Sequence, residues 1–240
     1  MQELYIDELR MFMGKEIELD NGICLHSPTI NEITNIGEIK YNLYVNLLLF
    51  NRDIIQYFYR LDSEVYEQIL HIDRYELFMS FPVLIESIKE ALSFFCKADV
   101  QYHVAGRFFY ANDDYMVLNH NNYKSIVKIV KCITGIQDSE QPKAFRNKKA
   151  QALYEQARAA RHKSSKSESL RLRDILSILC NAEGNGIHIF NVGELTIYQV
   201  YEHFERLNLR EYHTQLLQVW ANGLLGKNEK LPGWMIKGTI

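Results

Sequence analysis

A strongly basic segment from Pro142 to Arg173 constrains the fold more than any other feature of this sequence. From Lys143 onward it holds ten Lys and Arg residues against Glu155 and Glu168, a net charge of +8. Because the whole chain carries −3, the remainder carries −11. The abundance of Ala, Gln, Lys and Arg predicts a helix, but its apolar stripe is too thin to bury much of it. The segment therefore predicts a basic arm between two folded units.

The arm has three interpretations. Lys148, Lys149, Arg158 and Arg161 are suited to neutralising the phosphates of a nucleic acid. They are equally suited to docking on an acidic protein surface, including the acidic remainder of this chain. A solvated helix without a partner is the third interpretation. A sequence pI near 6.3 and the lack of a nucleic-acid-reading motif place nucleic acid second to protein.

The residues before the arm, 1–135, predict a mixed α+β domain. The turn Asp20-Asn21-Gly22 between two short alternating runs predicts a β-hairpin, and the capping-box spacing of Thr29 and Glu32 predicts a helix running toward Gly37. β-branched and aromatic runs around Tyr110 predict a second β-element. Helical spacing recurs in the following segments: 38–50, 53–60, 63–70, 73–80, 82–96 and 119–134.

The rest of the chain predicts a basic helical arm with a Ser-rich linker over 136–169 and a helical C-terminal domain over 170–240. Within that domain we expect three helices, at 170–181, 194–209 and 210–222. The predicted fold class is mainly α with small β-elements (α+β).

No pattern in the sequence predicts catalysis, a cofactor or a metal site. The glycine cluster Gly184-Asn185-Gly186 lacks the Lys-Ser or Lys-Thr of a phosphate-binding loop. The histidines are scattered, and His203 and His213 lack the spacing of a helical metal site. We expect no enzyme activity and no cofactor, and we find no candidate catalytic residue.

A row of aromatic residues offers candidate partner contacts. Tyr198, Tyr201 and Phe204 recur at three-residue steps, which is the spacing of one helix face. Trp220 and Trp234 lie further along the same region. Aromatic side chains dominate interface energetics, but helical spacing equally predicts packing within a core. Both interpretations stay open from the residues alone.

The sequence shows no sign of export or membrane insertion. Residues 1–10 are acidic and mixed, unlike a signal peptide, and no apolar run approaches the roughly 20 residues of a membrane span. Cys24, Cys96, Cys132 and Cys180 lie far apart, each in an apolar stretch. We expect reduced core thiols in a cytosol and no membrane association.

Three stretches carry a family resemblance: SPTINEITNIGEIKYNLYVNLLLF from Ser27, GIHIFNVGELTIYQVYEHFERL from Gly186, and GWMIKGTI from Gly233. Together they resemble a family of uncharacterised proteins of tailed phages and prophages of Gram-positive bacteria. In that family Trp stands where this chain has Gly193.

The resemblance implies a role in virion morphogenesis, in tail or baseplate assembly. It ranks first a tail assembly chaperone that shields the apolar helices of a tape-measure protein in the host bacterial cytoplasm, or a component of the virion. Its partners would be tape-measure or baseplate proteins, with self-association as a further option. The alternatives are a nucleic-acid-binding protein working through residues 143–173 and a phage-encoded inhibitor of a host protein.

Overall fold

The computed structural model describes residues 6–19, 22, 24–60, 62–69, 71–111, 115–136, 170–223, 231 and 233–236. These residues form mainly helices with two small sheets, which confirms the predicted fold class. The chain divides into two compact units. Among the described residues, the first unit holds those up to Ile136 together with Gly193–Glu202. The second unit holds the other described residues. The domain bounds predicted from the sequence, 1–135, 136–169 and 170–240, stay a prediction.

The first unit contains eight helices within the described residues. They are α1 (Glu8–Phe12), α2 (Ile30–Ile36), α3 (Glu38–Leu48), α4 (Asp53–Tyr59), α5 (Ser63–Ile69), α6 (Arg74–Phe78), α7 (Pro82–Cys96) and α8 (Tyr123–Ile133). Pro82 opens α7, where its missing N–H costs nothing and its fixed φ suits the first turn. Each helix apart from α1 lies within a segment that the sequence predicts to be helical.

Two antiparallel sheets complete this unit. The predicted hairpin is present as β1 (Ile17–Glu18) paired with β2 (Cys24–Leu25). The second sheet joins β3 (Val100–His103), β4 (Phe108–Ala111) and β5 (Tyr115–Leu118) in sequence order. Phe109 and Ala111 point inward and are buried, whereas their neighbours along β4 are partly exposed. This alternation is what a sheet with one packed face produces.

Aromatic side chains dominate part of the first unit's core. The Phe50 ring lies 5.1 Å from Phe78, 5.4 Å from Tyr123 and 5.9 Å from Tyr75, measured between centroids. Such offset and edge-on contacts add to the free energy gained by burying the rings. The Tyr75 hydroxyl donates to the backbone oxygen of Arg107, so its polar tip is satisfied.

The second unit contains α9 (Leu172–Asn181) and most of α10 (Ile197–Ala221), a 25-residue helix. A short 3₁₀ turn at Val192–Glu194 precedes α10. The prediction of two helices meeting at Leu209 and Arg210 was wrong, because the helix is continuous there. The sequence has no Pro or Gly at that point, and Arg is a good helix former.

Capping boxes lie at the starts of both α2 and α10, and both are in the first unit. In the first, Glu32 accepts from the Thr29 backbone N–H while Thr29 Oγ1 accepts from that of Glu32. In the second, Gln199 and Thr196 make the same reciprocal bonds. The capping box predicted at Thr29 is therefore confirmed, and the one at Thr196 was not anticipated.

Backbone hydrogen bonds join the two capped starts. The Ile30 N–H donates to the oxygen of Leu195, and the Ile197 N–H donates to that of Pro28. The buried Ser27 hydroxyl adds to this junction by donating to the Ile133 oxygen and accepting from the Tyr198 N–H. The first turn of α10 is thereby fixed to residues far away in the sequence.

Candidate interaction surface

Burial changes sharply along α10. Ile197, Tyr198 and Val200 in the first turn are buried, and no residue from 201 to 221 is. An amphipathic helix in a folded unit normally keeps one stripe buried along its whole length. The later part of α10 therefore carries apolar side chains that the described chain does not fully cover.

Four of these side chains form one face, which we call the helix-end face: Tyr212, Leu216, Val219 and Trp220. At roughly 100° per residue they fall within about 100° of one another around the helix axis. Tyr212 is 56% exposed and Trp220 is 55% exposed, while Leu216 and Val219 are half-buried. Large apolar side chains at this exposure are costly to leave in water.

The helix-end face does not line the cleft between α10 and α9. An open cleft of about 770 Å³ separates the two helices of the second unit, and α10 contributes Leu207, Arg210 and Glu211 to it. These three lie on roughly the opposite side of α10 from Leu216, by the same angular step. The cleft beside α9 is thus lined by another side of α10.

The end of α10 carries no formal charge. From Tyr212 to Asn222 the sequence has no Asp, Glu, Lys or Arg, whereas Glu205, Arg206, Arg210 and Glu211 crowd the preceding turns. Solvated helix surfaces are ordinarily rich in charge, and the buried centres of protein interfaces are depleted in it and enriched in aromatic residues. The helix-end face has the composition of an interface centre.

Further apolar side chains are exposed elsewhere in the second unit. Phe190 is 92% exposed and Ile189 is 72% exposed, in the loop before the 3₁₀ turn. Trp234 is 38% exposed, in a segment held to α10 by the Arg206 guanidinium, which donates to the Ile236 oxygen at 2.5 Å. Single exposed apolar residues are ordinary, and the first unit has its own, such as Ile39 at 89%. What distinguishes the second unit is that it exposes both tryptophans of the chain.

The aromatic residues singled out from the sequence separate into two groups. Tyr198 is 4% exposed and belongs to the core of the first unit, and Tyr201 is half-buried with its ring over Gly135. Burial raises the pKa of the Tyr201 hydroxyl, with the Glu38 carboxylate adding to it. Phe204 is half-buried, whereas Trp220 and Trp234 are open to solvent. Lys148, Lys149, Arg158 and Arg161 lie outside the described residues.

The Asp73 carboxylate is engaged in hydrogen bonds that stabilise the fold. Its carboxylate accepts from the N–H groups of Tyr75 and Glu76, which caps α6, and from the Tyr123 hydroxyl. Partial burial opposes ionisation, but these hydrogen bonds hold the pKa of Asp73 below its usual range. His120 lies 3.5 Å from the same carboxylate. The Asp73 carboxylate thus acts as a helix cap and a link to α8.

The four cysteines are free thiols, with Cys96 buried and the others half-buried. Burial raises the pKa of the Cys96 thiol to about 12, so it stays protonated at neutral pH. Within the described residues, no three His, Cys, Asp or Glu side chains are grouped to hold a metal ion. The described helices also include none that is long and apolar enough to cross a bilayer.

The described chain is thus a mainly helical protein whose second unit exposes an uncharged apolar helix face. Residues 163–238, which contain α9 and α10, match the family model described as YomV second domain, a family of phage or prophage type. This match fits the phage origin that the sequence resemblance implies. No curated protein and no solved structure matches the chain.

The family that this chain resembles has Trp at the position of Gly193, and the space around Gly193 is tight. A Cβ built on Gly193 would collide with Asn31 Oδ1. The Asn31 amide donates to Glu194 Oε1 at 3.3 Å, across the 3₁₀ turn. A larger residue at position 193 therefore requires the Asn31 side chain to move.

Proposed function

We propose that this chain is a non-enzymatic phage morphogenesis protein that acts by protein contacts as a tail assembly chaperone. The observation that carries the proposal is the exposure of large aromatic side chains in the second unit. They include Phe190, Trp220 and Trp234, and aromatic residues are enriched in protein interfaces. The phage type of the matched family supports the phage origin that the proposal requires, and the tail role itself comes from the resemblance to tailed-phage proteins.

A chaperone of this kind needs a surface that binds apolar helices before the tail is built. Exposed aromatic rings supply large contact areas with few rotatable bonds, so little side-chain entropy is lost on binding. The partners would be tape-measure or baseplate proteins made in the same host cytoplasm. The protein would act there or remain in the virion.

The test is co-expression with the tape-measure and baseplate proteins encoded beside it, followed by capture of the tagged chain. We expect one of them to be retained, and we expect Phe190→Ala to weaken its retention by at least about tenfold. Tyr115→Ala is the matched control, because Tyr115 is 60% exposed but lies in the first unit. Retention of no tail protein, together with purified particles that lack the chain, would reject the proposal.

A further inference from the structure

Beyond that role, the helix-end face has features that single out one occupant. It is uncharged, so two identical copies of it meet without like-charge repulsion, which a face carrying charges of one sign would not permit. It also lies outside the cleft between α10 and α9, so a partner reaches it without entering that cleft. A two-fold contact requires a surface that complements itself, and the positions of the side chains meet this condition.

We propose that the helix-end face binds a second copy of this chain as an antiparallel helix pair centred on Leu216. Tyr212 and Trp220 stand four residues before and four residues after Leu216, about 6 Å away along the axis. A two-fold axis at Leu216 brings the Leu216 side chains of the two copies together. It then places Tyr212 of each copy against Trp220 of the other, forming two aromatic pairs.

The exposures of these side chains agree with this arrangement. Tyr212 and Trp220 are 56% and 55% exposed in the single chain, so each has surface left to bury against the other across a two-fold axis. Val219 comes opposite His213 in the same register. One helix end covers less than the roughly 800 Å² per partner of a standard interface. The pair is therefore a weak, concentration-dependent dimer.

The first experiment measures the mass of the full chain by sedimentation velocity over a wide range of concentrations. We expect the mass to rise from one chain to two as concentration increases. Leu216→Lys places two ammonium groups at the axis and should keep the chain monomeric throughout. Gln218→Lys adds the same charge to the same helix on the far side, so it should dimerise like the unaltered chain. Circular dichroism checks that both variants fold.

The second experiment tests the antiparallel register. Tyr212→Lys and Trp220→Glu should each weaken the dimer. The double variant should restore it, because the lysine introduced at position 212 of one copy then faces the glutamate introduced at position 220 of the other. A parallel pair would set like charges against each other and leave the double variant monomeric. That result, or a monomer at every concentration, would overturn the proposal.

This inference shares a surface with the proposed function, but the two fail separately. A monomeric chain that still captures a tail protein, and loses it on Leu216→Lys, would assign the helix-end face to that protein and reject the dimer. A dimer that captures no tail protein would keep the dimer and reject the chaperone role.

Discussion

The two ends of α10 are built from similar residues and have opposite surroundings. Its first turn holds Ile197, Tyr198 and Val200, all buried, and its last turns hold Leu216, Val219 and Trp220, none of them buried. Apolar spacing along the helix is alike at both ends. What differs is the partner, because residues near Ser27 and Ile133 cover the first turn.

Both ends of α10 lack charge in the sequence itself, from Ile197 to Tyr201 and from Tyr212 to Asn222. A buried turn and an interface centre both lack charge, but a helix end that faces only water is expected to be charged. The uncharged run after Glu211 therefore indicates contact with something else. Aromatic spacing alone gives no such indication, since it is satisfied equally by a core and by an interface.

The strongest test of this difference in burial is to truncate one apolar side chain at each end of α10. Ile197→Ala should lower the free energy of unfolding by about 2 to 5 kcal/mol, because Ile197 is fully buried. Leu217→Ala, at a residue that is 41% exposed, should cost less than about 1 kcal/mol. Urea denaturation of dilute protein measures both. Equal losses at the two positions would show that the last turns of α10 belong to a core.

Much of the fold followed from local signals in the sequence. Asp20-Asn21-Gly22 predicted the hairpin, Thr29 with Glu32 the capped start of α2, and Pro82 the start of α7, because each depends on residues close together in the chain. The continuity of α10 was missed because apolar spacing shifts at Leu209 and Arg210 without any helix-breaking residue. Its capping box was missed because the helix was predicted to begin at residue 194, although Thr196 and Gln199 carry the signal.

The candidate surface was only partly predictable. The sequence named Trp220 and Trp234, but it grouped them with Tyr198, which the structure buries. The distinction depends on contacts between residues far apart in the chain, such as the bond from the Tyr198 N–H to Ser27. No residue pattern within the segment 197–221 predicts those contacts.

A second prediction concerns the hydroxyl that fixes the buried end of α10. Ser27→Ala leaves both the Ile133 carbonyl and the Tyr198 N–H without their partner in a buried setting, and should cost about 1 to 3 kcal/mol of stability. Ser80→Ala is the control, because the exposed Ser80 hydroxyl bonds only to its own helix at Glu76. Thermal unfolding compares them. A loss no larger than that of the control would mean that Ser27 does not hold this turn.

A third prediction tests the close approach just before α10. Gly193→Ala sets a methyl group against Asn31 Oδ1 and should cost about 1 kcal/mol, at the low end for overpacking because the exposed Asn31 side chain can swing away. Asn31→Ala combined with Gly193→Ala should recover most of that loss, since it removes the obstacle. Unfolding midpoints in urea give the comparison. An unchanged loss in the double variant would place the strain in the backbone instead.

The smallest expected effect is a difference between the two capping boxes in how their contribution to stability depends on pH. Burial disfavours the Glu32 carboxylate, but hydrogen bonds from Lys97 and Thr29 outweigh it and hold the pKa of Glu32 below its usual 4.5. A depressed folded-state pKa stabilises the protein above the unfolded value and loses that contribution as pH falls through the folded value. Glu32→Gln should therefore cost up to about 1 kcal/mol at neutral pH and nearly nothing in acid. Gln199→Ala, in the uncharged box of α10, should cost a similar amount at both pH values. A pH-independent loss for Glu32→Gln would show that charge plays no part in fixing the start of α2, to which the buried end of α10 is bonded.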